Sequence, residues 1–86
     1  MIWKINVTTR FKTYNLNATI IETTSNKQRI KVFGKERYII LENNYPFFRS
    51  KGLKHRRIDW KIIEGSISSQ SFIEELVSVL DKHIRN

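Results

Sequence analysis

Apolar and polar residues alternate in two stretches near the start of the chain. Residues 2–8 place an apolar side chain at every second position, and residues 14–23 repeat the pattern. A period of two is typical of a strand that buries one face. Because the connection between the stretches is short, they predict an antiparallel hairpin. The apolar positions of this hairpin are Trp3, Ile5, Val7, Leu16, Ala18 and Ile20.

Three more strands are predicted from the middle of the chain. The third strand carries Ile30 and Val32 on its apolar side and ends before a turn at Gly34, where a tight hairpin needs backbone freedom. Residues 37–42 form a fourth strand, whose consecutive apolar residues are typical of a strand with some burial on both faces. The fifth strand begins near Ile58 and continues the alternation to a glycine turn.

Near the C-terminus the apolar period changes from two to three and four, which predicts an amphipathic helix. Ser71, with Glu74 three residues later, predicts a capping box at its start, and we expect His83 to act at its C-terminal end. The apolar stripe consists of Phe72, Ile73, Leu76, Val77, Leu80 and Ile84.

These elements predict an α+β fold of one domain, residues 1–86, in the order β-β-β-β-β-α. An antiparallel sheet of four to five strands packs one C-terminal helix on one face. Trp3 and Trp60 are in phase with the inward aliphatic residues, so we expect no aromatic platform of the kind that RNA-reading sheets display. The other sheet face is expected to be polar and positively charged, with Lys4, Asn6, Asn15, Asn17, Arg29, Lys31 and Lys61.

Residues 43–57 follow no clear period and are predicted to form a long basic loop within the domain. Acidic residues are absent between Glu42 and Asp59. Dense cations suit a phosphate backbone, because each neutralised phosphate releases condensed counterions. Neighbouring aromatic side chains, Tyr45, Phe47 and Phe48, could stack on unpaired bases. The candidate nucleic-acid-binding residues are Arg49, Lys51, Lys54, Arg56 and Arg57.

The overall composition also favours a negatively charged partner. The chain has 86 residues, 16 Lys and Arg against 8 Asp and Glu, a net charge of +8 and an isoelectric point near 10.1. Such an excess favours nucleic acid, an anionic membrane surface or an acidic protein as partner. Cysteine is absent, which excludes disulfides and thiolate metal sites. With no secretory signal or apolar run of membrane-spanning length, we expect a cytoplasmic protein.

Catalytic motifs are not recognisable in the chain. The acidic residues are scattered over separate strands and turns, and the two histidines are not part of a spaced ligand set. Three separated glycines cannot form a phosphate-cradling loop. We therefore expect no enzymatic activity, no metal site and no cofactor.

Three functional hypotheses follow. The first is non-catalytic nucleic-acid binding through phosphate contacts from the basic loop. The second is a protein-interaction or structural module, including a homodimer, without a nucleic-acid role, because one helix could leave apolar surface on the sheet uncovered. The third is peripheral binding of the basic aromatic loop to an anionic membrane.

Overall fold

The computed structural model describes residues 2–53 and 57–85, which form one five-stranded antiparallel sheet and two helices. The predicted α+β fold and the C-terminal helix are confirmed, and the number of strands is resolved as five. In chain order the elements are β1 (Trp3–Thr8), β2 (Thr13–Thr23), β3 (Gln28–Phe33), β4 (Tyr38–Asn43), α1 (Tyr45–Ser50), β5 (Trp60–Glu64) and α2 (Gln70–Arg85).

Each strand pairs with the next along the chain, so the sheet order is β1-β2-β3-β4-β5 and β3 is central. Short turns join the first four strands. The turn between β3 and β4 is closed by the Gly34 N–H, which donates to the Arg37 carbonyl at 3.0 Å. The predicted first hairpin is confirmed, with Trp3 opposite Ala18 and Ile5 opposite Leu16.

The core lies between one face of the sheet, called the inner face, and α2. Leu76 and Leu80 of α2 are both fully buried, because residues four positions apart lie on the same face of a helix and this face packs on the sheet. Phe72 packs edge-on against Tyr14 of β2, with ring centroids 5.0 Å apart. The buried core consists of Ile5, Val7, Ala18, Ile30, Val32, Leu41, Leu76 and Leu80. The opposite, outer face of the sheet carries the predicted polar and basic positions.

The start of α2 differs from the predicted capping box. The helix begins at Gln70, and the Ser69 hydroxyl accepts a hydrogen bond from the Phe72 N–H at 3.2 Å. Ser69 therefore caps the helix, while Ser71 already lies in the first turn. Glu74 accepts instead from the Gln70 side chain at 3.5 Å. The prediction was wrong because serines flank the boundary on both sides, and each is a plausible cap by spacing alone.

The predicted loop over residues 43–57 is also corrected. Asn43 still belongs to β4, and α1 occupies residues 45–50, with Pro46 in its first turn. Proline suits this position because its fixed φ is helical and its missing N–H would have no partner there. A helix of six residues is too short to show a 3.6-residue period, so the sequence pattern did not reveal it.

The fifth strand begins later than predicted, at Trp60. Asn44 and Asp59 are joined by two hydrogen bonds, from Asn44 Nδ2 to Asp59 Oδ2 at 3.2 Å and from the Asp59 N–H to Asn44 Oδ1 at 2.9 Å. These bonds tie the segment before β5 to the start of α1. Ile58 is buried although it precedes the strand.

Candidate nucleic-acid interface

The cationic residues after β4 are positioned by α1 and by the turn that ends it. The Lys51 N–H donates to the Phe47 carbonyl at 3.2 Å, and the Leu53 N–H donates to the Phe48 carbonyl at 2.8 Å. Gly52 adopts φ +71°, a conformation that glycine takes without steric cost. These contacts hold Arg49 and Lys51 on an ordered turn rather than on an extended loop.

Arg49, Lys51 and Arg57 all have exposed side chains. Lys54 and Arg56, the other two predicted site residues, lie outside the described residues. Residues 49–57 are called the basic segment below. The structure therefore places three of the five predicted cations in solvent at this end of the sheet.

The exposed aromatic group at this site is Phe47, with 39% of its surface accessible. Its ring contacts the Phe48 ring edge-on at 5.7 Å, and the Lys51 ammonium lies 5.9 Å from its centroid. Unlike Phe47, Tyr45 is buried, with 7% of its surface exposed. The Arg85 guanidinium lies 5.8 Å from the centroid of the Tyr45 ring. Of the three candidate stacking residues, Phe47 is the one that presents a ring to solvent.

Buried polar contacts fix the base of α1. Asn43 Nδ2 donates to Gln28 Oε1 at 3.1 Å, and Asn43 Oδ1 accepts from the Tyr45 N–H at 2.9 Å. Buried amides that satisfy each other in this way hold a unique local geometry, because losing one partner would leave the other unsatisfied. The start of α1 is thus tied to the central strand β3.

The ion pairs among the described residues involve two carboxylates, Glu42 and Asp81, which lie away from the described cations of the basic segment. Three cations surround Glu42, and Arg85 pairs with Asp81 at 2.9 Å. Within residues 2–53 and 57–85, no carboxylate oxygen lies within 4.0 Å of a charged nitrogen of Arg49, Lys51 or Arg57. Their positive charge is therefore not neutralised by an ion pair within the described chain.

Glu42 is the best-enclosed acidic side chain of the outer face, with 7% side-chain exposure. Arg29 Nε lies 3.1 Å from its carboxylate, and Lys27 Nζ and Lys61 Nζ each lie 3.4 Å away. Desolvation raises the pKa of Glu42, but the contacts with Arg29, Lys27 and Lys61 outweigh it, so the pKa lies below its ordinary value. The cluster carries a net positive charge.

The outer face also carries an aromatic pair, contrary to the expectation from the tryptophan positions. Phe33 and Tyr38 lie directly opposite each other on β3 and β4, and Tyr38 is 48% exposed. Lys31 Nζ lies 4.6 Å from the Tyr38 ring centroid and 5.7 Å from that of Phe33. The pKa of Tyr38 is raised, because its hydroxyl hydrogen-bonds the Glu64 carboxylate and because the negative charge of Glu64 disfavours the phenolate. The alternation along the chain does not reveal this pair, because Phe33 is the last residue of β3 and Tyr38 is the first of β4.

A groove of about 550 Å³ opens beside α1, between it, the turn joining β2 to β3 and the C-terminal end of α2. Trp3, Tyr45 and His83 supply its aromatic walls, and Arg49 lies at its margin. The Trp3 and His83 rings are stacked, with centroids 5.4 Å apart and planes 16° apart. His83 lies in the last turn of α2, as predicted, and its ring also packs against β1.

Across the described part of the chain, no group of three or more His, Cys, Asp or Glu side chains could hold a metal ion. No helix there is long and apolar enough to cross a membrane.

Comparison with known proteins adds no functional information. No protein-family model, no curated protein and no solved structure matches the chain.

Proposed function

We propose that the chain is a non-catalytic nucleic-acid-binding domain that contacts phosphates through the basic segment. The observation that carries the proposal is the arrangement of α1 and its C-terminal turn. Lys51 lies 5.9 Å from the centroid of the exposed Phe47 ring, and Arg49 is exposed on the same short helix as Phe47. Neither cation is paired with a carboxylate among the described residues. Cations beside a solvent-facing aromatic ring are the composition with which proteins bind single strands.

The mechanism is phosphate neutralisation with little reading of base identity. The cations of the basic segment neutralise phosphates of the nucleic acid, and the counterions condensed on those phosphates are released into solution. These cations are Arg49, Lys51, Lys54, Arg56 and Arg57. Phe47 adds a stacking platform for one base, a contact worth about 1–3 kcal/mol and available to every base. The positive field of the whole molecule, at +8, brings polyanions to the site.

The test is fluorescence anisotropy with labelled single-stranded RNA, single-stranded DNA and duplex DNA at several salt concentrations. In the variant Lys51→Ala/Arg57→Ala, binding to single strands should weaken for all sequences. The slope of log K against log salt should become shallower by about 1.4, since each lost phosphate contact removes about 0.7.

The matched control is Lys35→Ala/Arg37→Ala, which removes the same charge from exposed positions at the turn between β3 and β4. This turn lies at the opposite end of β4 from α1. Equal losses in the two variants would mean that only net charge matters and would overturn the site assignment. Binding no stronger than to heparin or polyglutamate would overturn nucleic acid as the partner.

A second candidate function, a protein-interaction module, is supported by the outer sheet face. Tyr38 exposes 48% of its surface there, next to Lys31, and Ile63 of β5 exposes 38%. Self-association through this face would appear in size-exclusion chromatography with light scattering as a dimer that Ile63→Lys dissociates. A monomer at all concentrations would contradict the homodimer.

A further inference from the structure

We propose that the groove beside α1 holds one unpaired nucleotide of a bound single strand. The base lies against Trp3 and the aliphatic side chains of Ile20 and Ile84, and the phosphate lies at Arg49. This inference rests on the proposed function and adds to it a ligand class and a position for the base.

The size and lining of the groove fit such an occupant. Its volume of about 550 Å³ falls within the roughly 300–1,000 Å³ of small-molecule sites. Rings of Trp3 and Tyr45 and the aliphatic side chains of Ile20 and Ile84 form its apolar walls. A planar aromatic ligand gains the most from such walls, because stacking and apolar burial act together.

The polar part of the lining favours an anion attached to that ring. Arg49 reaches the groove margin, and the described residues that line the groove include no Asp or Glu. Hydroxyl groups of Thr23, Ser25 and Ser50 line the same space and can hydrogen-bond a sugar. An aromatic ring, a sugar and a phosphate together describe a nucleotide.

The groove is continuous with the surface that the proposed function uses. Arg49 lines the groove, whereas Lys51, two residues later, contacts the Phe47 ring outside it. A strand whose nucleotide fills the groove can therefore continue over α1 onto Phe47 and the basic segment. A base can enter only if it is unpaired, so the groove favours single strands over duplexes.

The first experiment follows the two indole N–H signals in ¹H–¹⁵N spectra, assigned with Trp60→Phe, during titration with adenosine monophosphate and uridine monophosphate. Trp3 lines the groove, whereas Trp60 lies outside it, in a separate pocket beside Glu42 and Asp59. The Trp3 signal should shift saturably and the Trp60 signal should not. Adenosine and inorganic phosphate, each alone, should bind more weakly than the nucleotide.

A matched pair of variants places the phosphate. Arg49→Ala should weaken mononucleotide binding by about tenfold, the usual loss for one hydrogen bond to a charged group. Lys51→Ala removes the same charge outside the groove and should leave mononucleotide binding unchanged. Both variants should weaken binding to a long single strand. Equal effects of the two variants on the mononucleotide would overturn the placement of the phosphate at Arg49.

The outcomes separate this inference from the proposed function. If single strands bind through the basic segment but mononucleotides leave the Trp3 signal unmoved, the groove assignment is wrong and the proposed function stands. If mononucleotides bind in the groove while strands bind no better than heparin, the proposed function is wrong. Saturable shifts of Trp3 and Trp60 alike would also overturn the groove as the site.

Discussion

Glu42 illustrates how single side chains are arranged on the open sheet face. The cross-strand register places it between Arg29 of β3 and Lys61 of β5, and Lys27 completes the enclosure. Opposite charges directly across strands stabilise pairing, whereas like charges oppose it. One carboxylate therefore reduces the repulsion among three cations.

The Glu42 cluster predicts a pH-dependent contribution to stability. Because the folded-state pKa lies below the ordinary value of 4.5, Glu42 stabilises the fold above that value, and this contribution is lost as the pH falls through the lowered pKa. In urea unfolding, Glu42→Gln should have a lower midpoint than the wild type at pH 7, and the difference should shrink in acid.

The control for this prediction is Glu22→Gln. Glu22 also faces Arg29 across a strand, but it is exposed and makes no ion pair among the described residues. Its midpoint should stay close to that of the wild type at every pH. A Glu42→Gln deficit that does not change with pH would show that the cluster stabilises through packing rather than through charge.

At the scale of elements, the sequence predicted the existence of α2 but not its exact start, and it did not predict α1. The apolar stripe of α2 was recognisable because sixteen residues cover several helical turns. The exact start of α2 depends on which serine hydroxyl accepts a hydrogen bond from an N–H in the first turn of the helix. The local backbone geometry decides this, and the spacing of the serines in the sequence does not. The start of α1 depends on Asn43 and on the pairing of Asn44 with Asp59, which lies 15 residues away.

The cap of α2 yields a second prediction. Ser69→Ala should lower the free energy of unfolding by about 1 kcal/mol, because the Phe72 N–H loses its acceptor. Ser71→Ala is the matched control, and it should change stability by only a few tenths of a kcal/mol, since alanine is a good residue within a helix. Chemical denaturation of both variants checks the assignment. A larger loss in Ser71→Ala would restore the capping box over Ser71 and Glu74.

At the scale of the whole molecule, the fold has two layers and one core. α2 covers the inner face, while the outer face remains open and charged. Most of the buried apolar side chains of the described residues lie in one cluster between the inner face and α2, so stability depends on few large side chains. Leu76 and Leu80 are the fully buried members of α2 among the described residues.

Leu80→Ala should therefore destabilise the protein by about 2–5 kcal/mol, the usual result of removing a buried leucine side chain. This is a large part of the roughly 5–15 kcal/mol that stabilises a small domain. Thermal unfolding followed by circular dichroism measures the loss. Ile63→Ala on the outer face, where the side chain is 38% exposed, should cost much less. Comparable losses would show that the outer face contributes a second core.

The sequence by itself determined the fold class, a sheet of four to five strands, the C-terminal helix and the polar and basic positions of the outer face. These follow from periodicity, because burial of one face imposes a period of two on strands and about 3.6 on helices. It also located the cations of the basic segment, since charge can be counted directly. Positions at the ends of elements, such as Phe33 and Tyr38, have too few neighbours to establish a period.

Only the tertiary structure decided which groups meet. The stack of Trp3 on His83, the enclosure of Glu42 and the groove beside α1 all join residues that are far apart in the chain. The structure also separated Phe47 in solvent from Tyr45 in the interior, although both stand in the same aromatic cluster of the sequence. Contacts across the sheet and between layers depend on register and packing, and no local pattern along the chain encodes them.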